Sequence, residues 1–259
     1  EDNGRYYLVT EYEDGISFED YLGRYAPLDE GEALDFLIQI VEVLNYAWQE
    51  KKLLHREIKP SNILINEDTK QIKLTDFGVA KSLEGESLNL TGVGFTIGSP
   101  DYMRPEQVRG DEDIDSRSDM YAVGLVLYEA LVGKKPFQAD SVMALMNMQM
   151  TEQHKCLRNI SPNVSKPCSD FVDRLLAKNR EQRYLNWNDM LKAMKKVRVG
   201  EAVTQVNLSA APPKDVVAFP AQQTAASPGF QGAETKVNMS ILEPEQKPGV
   251  NMLWIVAGV

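Results

Sequence analysis

The chain has 259 residues, enough for one large domain or two small ones with a sizeable buried core. Hydrophobic residues make up 43% and charged residues 25%, the ordinary balance of a soluble globular protein. The net charge of −10 excludes a general binder of nucleic-acid backbone, so no nucleic-acid partner is expected. A site for any polyanionic ligand must then rely on a metal ion and local dipoles.

Residue 1 is Glu and no charged-then-apolar signal segment follows it, so the chain reads as a processed protein or a piece of a longer one. Tyr6-Tyr7-Leu8-Val9 is a short β-prone run, and Ser17–Tyr21 opens a short helix. Asp29 is placed to cap the next helix, with Glu32 three residues on as its capping-box partner. Ala33, Phe36, Leu37, Ile40, Val43, Leu44 and Ala47 recur at steps of three and four and predict one apolar helix face. Ile63-Leu64-Ile65 and Ile72-Lys73-Leu74 predict two short strands around a turn at Asn66–Lys70. An apolar helix is expected over 118–132, closed by Gly133, and further helices over 140–150, 168–178 and 187–197. Met143, Met146, Met148 and Met150 read as adaptable packing. Cys156 and Cys168 lack CxxC spacing and His154 cannot complete a zinc set with them, so both read as reduced thiols.

Composition shifts near residue 200. Residues 199–249 are rich in Ala, Pro, Gln and Thr without a sustained period, as expected of a flexible linker. Residues 250–259, VNMLWIVAGV, carry no charge. As a helix they would span about 15 Å, half of what a membrane span needs. They read either as the start of a span or as a short hydrophobic tail.

The chemistry is concentrated in ordered segments. His55-Arg56-Glu57-Ile58-Lys59-Pro60-Ser61-Asn62 precedes the first strand, and fourteen residues after Asn62 comes Asp76-Phe77-Gly78. Gly98-Ser99-Pro100-Asp101-Tyr102-Met103-Arg104-Pro105-Glu106 follows, then Asp119 at the head of the apolar helix, then Arg183. Any one of these is weak alone. Their order and spacing together resemble the protein kinase family over about residues 5–198: catalytic loop, metal-binding motif and activation segment.

The resemblance implies an α+β fold: the mainly helical C-terminal lobe of a kinase over residues 1–198, with short β-strands around the catalytic loop and a disordered tail behind it. It also implies a bacterial-type Ser/Thr protein kinase that moves the γ-phosphate of ATP to Ser or Thr of a protein substrate, with Mg²⁺. Such transfer needs positioning, a metal to neutralise the phosphates, and a base near the acceptor hydroxyl. Asp76 offers a hard carboxylate and Asn62 an amide oxygen for the metal. Lys59 stands where the family steadies the transferring phosphate, and Ser99 where a hydroxyl faces that Lys. Arg56 and Thr96 match the pair in which an Arg holds a phosphorylated activation segment, with Thr91 the lesser alternative. Glu106 with Arg183 matches a buried ion pair, Asp119 a carboxylate bonded to catalytic-loop backbone, and His55 with Phe77 a core stack.

Two departures qualify the resemblance. The family has Asp as its catalytic base where this chain has Glu57, and one methylene of displacement, about 1 Å, is enough to cost about a hundredfold in rate. The Gly-rich loop, strand Lys and helix Glu of the small lobe are not found. Tyr6–Tyr12 is similar to the last small-lobe strand and hinge, which would put Thr10 behind the adenine, Glu11 and Glu13 at the hinge and Leu64 on the floor. The 259-residue chain alone is therefore expected to transfer phosphate poorly. The alternative is a pseudokinase that binds or regulates. A kinase domain of this kind would be cytoplasmic, tethered to the inner face of a membrane if residues beyond 249 begin a span.

Overall fold

A computed structural model describes residues 12–77, 99–111 and 113–202. The strand expected at 6–9, the linker beyond 202 and the apolar segment at 250–259 lie outside the described residues. The chain divides into two units. Of the first, only residues 12–14 are described, and the second, which begins at Gly15, carries every element below.

The chain enters this unit through β1 (Ile16–Ser17) and turns at once into α1 (Phe18–Tyr25). Ser17 caps the helix, its side chain accepting the Asp20 amide at 3.0 Å. The long helix α2 (Glu30–Lys51) is capped by Asp29, whose side chain accepts the Gly31 amide at 2.8 Å. Glu32 does not close a capping box: it accepts from the Tyr21 hydroxyl at 2.7 Å and so ties α2 to α1. The apolar face is also rotated from expectation. Leu34 and Val41 are buried with Ala33, Phe36, Leu37, Ile40 and Leu44, whereas Val43 is exposed. The 3.6-residue period carries the stripe through Val41 rather than Val43.

β2 (Ile63–Ile65) and β3 (Ile72–Leu74) form an antiparallel hairpin, and β1 pairs antiparallel along the other side of β2. Alternation puts Ile63 and Ile65 in the core and turns Leu64 to the opposite face, half-buried. The Asn66 side chain accepts the amides of Asp68 and Thr69, which closes the hairpin turn. Gln39 of α2 then grips the hairpin twice, donating to the Lys70 carbonyl at 3.0 Å and accepting the Ile72 amide at 3.1 Å.

The remaining elements are α3 (Pro105–Arg109), α4 (Ser116–Val132), α5 (Val142–Thr151), α6 (Leu157–Ile160), α7 (Lys166–Leu175) and α8 (Trp187–Arg198). Short 3₁₀ turns lie at Pro60–Asn62, Pro100–Tyr102 and Arg180–Gln182. α4 starts earlier than expected because Asp115 caps it, and Gly133 closes it in a left-handed conformation at φ 73°. Within α4 only Arg117, Glu129 and Val132 are not buried, so it is the axis around which α2, α6 and α7 pack. Met146 and Met150 join Met103 and Val108 in a separate small cluster, while Met143 is exposed. No helix among the described residues is long and apolar enough to cross a membrane.

Gly124 shows how closely α4 meets α7. A Cβ there would lie 2.8 Å from Leu175 Cβ and 3.0 Å from Leu176 Cδ2. Gly124→Ala gains helix propensity but overpacks this contact, and overpacking costs about 1–3 kcal/mol. A net loss of about 1–2 kcal/mol in unfolding free energy is expected, read as a lower midpoint at unchanged slope in urea titrations. A variant at least as stable as wild type would show that α7 yields freely.

Candidate active site

The hairpin builds the site by register. Ile63 pairs with Leu74, so Asn62, just before β2, stands beside Thr75 and Asp76, just after β3. The Thr75 amide donates to the Asn62 carbonyl at 3.0 Å. The Thr75 hydroxyl oxygen lies 3.2 Å from both that carbonyl and Asp76 Oδ2. Asn62 itself is buried, and its Nδ2 donates to the Glu57 carbonyl at 2.9 Å, which fixes how its amide faces. Asp76 is exposed and sits in the left-handed region at φ 60°, a conformation that Asp tolerates better than most side chains.

Lys59 links the loop to the end of the activation segment. Its Nζ is 2.5 Å from Glu57 Oε1 and 3.4 Å from Ser99 Oγ. The sequence-predicted residues Glu57, Lys59, Asn62, Asp76 and Ser99 are thus joined by a continuous chain of hydrogen bonds through Thr75. Arg56 is exposed beside them. Leu64 follows on β2. Glu13 is half-buried in the unit before Gly15, and Thr10, Glu11, Thr91 and Thr96 lie outside the described residues.

What holds the loop is Asp119 on α4. Its Oδ2 accepts the His55 amide at 2.8 Å and its Oδ1 the Arg56 amide at 3.0 Å. Arg56 is itself left-handed at φ 68°, so the second bond stabilises a backbone that is otherwise uphill by about 1–2 kcal/mol. The His55 ring is buried and packs on Phe77 at a centroid distance of 4.6 Å. His55 Nε2 lies 2.9 Å from the Thr75 carbonyl. A carbonyl only accepts, so Nε2 carries the proton and Nδ1 is left to accept the Glu57 amide, 3.4 Å away. Burial lowers the His55 pKa despite the nearby Asp119 carboxylate, which favours this neutral ring.

Two further features surround this core. Arg104 Nη2 lies 3.1 Å from Asp119 Oδ1, with both side chains only 2% exposed. Lys178 is buried without a carboxylate at hydrogen-bond range among the described residues. It donates to the Tyr121 hydroxyl at 3.0 Å and the Met148 carbonyl at 3.2 Å, and sits 4.1 Å from the Phe137 ring centroid. Burial and the nearby Arg183 charge bring its pKa down to about 7. Tyr121 in turn donates to Gln149, and Gln149 to the Asp101 carbonyl, both at 2.8 Å, so this network supports the activation-segment end from below. Sequence reasoning missed both roles. Arg104 is visible inside the Met103–Glu106 segment, but its partner lies fifteen residues on, and nothing local marks Lys178.

The donor set suits Mg²⁺. One exposed carboxylate and one oriented amide, both beside Thr75, leave room for the waters and phosphate oxygens that this ion keeps. No cluster of three or more His, Cys, Asp or Glu able to hold a metal occurs among the described residues. A site completed by phosphate oxygens needs no such cluster. A cleft of about 360 Å³ lined by Asp101, Glu129, Lys135, Gln138 and Leu145 shares no residue with the Glu57–Asp76 chain.

Residues 1–194 match the protein kinase domain model. The chain belongs to the protein kinase family. It is 34% identical over 185 residues to the probable serine/threonine-protein kinase PknB of Lactococcus lactis, covering 71% of this chain and 29% of that protein. It is 35% identical over 190 residues to the serine/threonine-protein kinase PrkC of Bacillus subtilis, covering 73% and 28%. For PknB of Mycobacterium tuberculosis the figures are 33% over 195 residues, 75% and 31%. The crystal structure of the Mycobacterium tuberculosis PknI kinase domain superposes with a TM-score of 0.54 at 25% identity, covering 73% of this chain and 64% of that one. These relatives place the chain in the bacterial Ser/Thr branch of the family. The chain spans less than a third of the three curated relatives named here.

The expected ion pair is present beneath this site. Arg183 donates to Glu106 through Nη1 at 2.6 Å and Nη2 at 3.0 Å, and Ser118 adds a third bond at 2.6 Å. Burial alone would raise the Glu106 pKa, but the Arg183 charge and these hydrogen bonds hold it down at about 2. Its contribution is fully present above the ordinary value of 4.5 and is lost as pH falls towards 2. The shift corresponds to about 3 kcal/mol. Glu106→Gln is expected to destabilise the fold by about 3–5 kcal/mol at neutral pH. Urea titrations should show that gap narrowing between pH 6 and pH 3. A gap independent of pH would mean that the charge on Glu106 is not what holds Arg183.

Proposed function

We propose that this chain is the large lobe of a protein Ser/Thr kinase, using ATP and Mg²⁺ to phosphorylate Ser or Thr of protein substrates. The observation that carries the reading is Lys59, held between Glu57 Oε1 at 2.5 Å and Ser99 Oγ at 3.4 Å beside Asn62 and Asp76. A helical fold has no need of a Lys, a Glu, an Asn and an Asp converging at one hairpin mouth. Phosphoryl transfer needs each of them.

In this reading Asp76 and Asn62 hold the metal, which when bound neutralises charge on the phosphates. Glu57, with its side chain 38% exposed, accepts the proton of the acceptor hydroxyl. Lys59 balances charge on the phosphate in transit, and Ser99 keeps Lys59 in place. By the resemblance, Leu64 forms the floor beneath adenine, Thr10 stands behind it, and Glu11 and Glu13 offer the hinge backbone groups. Arg56, exposed on the loop, receives a phosphate carried by Thr96. Residues 1–198 make up the kinase portion and 199–249 a linker, and 250–259 are either the start of a membrane span, which would tether the catalytic part on the cytoplasmic side with its ATP, or a short hydrophobic tail. The 259 residues by themselves bring no Gly-rich loop and no strand Lys, so alone they transfer phosphate poorly.

One observation favours a second reading, that of a pseudokinase. Glu57 carries one methylene more than the family's Asp, and its carboxylate is engaged by Lys59. The test is transfer of labelled phosphate from Mg·ATP by the full-length protein, to itself and to a generic Ser/Thr substrate. Wild type should transfer phosphate. Asp76→Asn should lower turnover by on the order of a hundredfold or more, and Glu57→Asp should be as fast or faster. Activity in Glu57→Asp alone would establish the pseudokinase reading.

A further inference from the structure

We propose that Arg104 is a positioning residue for the transfer reaction: its buried ion pair with Asp119 sets the catalytic-loop backbone at His55 and Arg56, so that this loop and the end of the activation segment are held as one body. The catalytic half of this inference rests on the kinase reading above. The geometric half does not.

Asp119 has two oxygens and three donors. His55 N–H takes Oδ2, while Arg56 N–H and Arg104 Nη2 share Oδ1. A buried carboxylate without a cation beside it is costly. The charge on Arg104 offsets that cost. Because Arg104 Nη2 and the Arg56 amide meet the same oxygen, the ion pair also fixes where the carboxylate sits against the loop amides.

The consequence runs directly into the site. The amides of residues 55, 56 and 57 are all assigned: two to Asp119 and the third to the His55 ring. The ring reaches across to the Thr75 carbonyl, next to Asp76. Losing the Asp119 contacts would release the left-handed turn at Arg56 and, with it, the placement of both Glu57 and Asp76. Arg104 Nε is buried and without a hydrogen-bond partner among the described residues, so the contact through Nη2 is the ion pair that holds this guanidinium on Asp119. Its neighbourhood is rigid. Arg104 and Glu106 flank Pro105, and they meet the adjacent α4 residues Asp119 and Ser118. Two parallel contacts fix the angle at which the activation segment ends against the head of α4.

The test uses the full-length protein with Arg104→Met, Arg104→Lys, Asp119→Asn and the Arg104→Met/Asp119→Asn double variant. Amide hydrogen exchange at His55 and Arg56 is read beside kcat and the KM for ATP. In Arg104→Met, protection at these two amides should fall about tenfold while amides of α7 are unchanged. Its kcat should fall about a hundredfold with KM for ATP moved less than about twofold. Arg104→Lys should restore most of the activity, with a smaller loss at the same two amides. Added to Asp119→Asn, Arg104→Met should cost less than about a further twofold in kcat, because both act through one contact.

Unchanged protection at His55 and Arg56, a uniform loss that includes α7, or additive effects on kcat would overturn the proposal. If Arg104→Met does not fold, Arg104→Lys is judged by the same amides: a loss confined to them supports the proposal, and no loss or a uniform one overturns it. If wild type transfers no phosphate, the kinase reading fails, and the exchange comparison alone decides whether Arg104 positions the loop.

Discussion

A carboxylate at the head of a buried helix is the constraint from which the rest of the site follows. α4 is enclosed almost all round, so it cannot shift or rotate without opening the core. Asp119 projects from this fixed axis and captures two consecutive loop amides at hydrogen-bond distance. The loop backbone thereby inherits the rigidity of the helix. A left-handed residue at Arg56 would otherwise relax, and here it is held by the same carboxylate that anchors its neighbour. The chemistry-bearing side chains stand on a loop, yet the coordinates of that loop are set by the most buried element of the fold.

The second support is the β2–β3 hairpin, and it acts through register. Pairing Ile63 with Leu74 brings residues fourteen apart in sequence, Asn62 and Asp76, to the same end of the hairpin. A one-residue slip would turn Ile63 and Ile65 out of the core and carry Asn62 away from Thr75. Burial of two isoleucines thus sets the separation of two polar groups. Gln39 adds a check from α2, because its amide matches the Lys70 carbonyl in the turn and the Ile72 amide at the start of β3 only in this register.

Much of this was legible in the sequence, for reasons that differ by element. The helix ends at Ser17, Asp29 and Gly133 were readable because capping is local chemistry. The hairpin was readable from its turn and its apolar runs. The convergence of Glu57, Lys59, Asn62, Asp76 and Ser99 and the Glu106–Arg183 pair could be anticipated only through the resemblance, since no spacing rule brings residue 106 to residue 183. Where partners are chosen by tertiary packing, the reading failed. Glu32 looked like a capping-box residue and instead meets Tyr21, a helix away. Val43 fitted the apolar stripe at single-residue precision, but over 22 residues the 3.6 period drifts and Val41 takes the core position. Arg104 and Lys178 were invisible as supports because a basic residue in sequence is surface-seeking by default, and only the fold reveals that both are buried.

These buried cations bear on how Glu57 is to be understood. Lengthening a base by a methylene is tolerable only if the backbone beneath it does not also move, since two small displacements at a reacting centre compound. Here the backbone is held from two sides: by Asp119 with Arg104 behind the loop, and by Asn62, whose side chain takes the Glu57 carbonyl. Lys59 then fixes where the Glu57 carboxylate comes to rest. A loop of ordinary flexibility would leave the longer carboxylate unplaced. In the kinase reading proposed above, rigidity behind the loop is what would let a Glu at this position serve as the base, and it ties the standing of Glu57 to the Arg104–Asp119 pair.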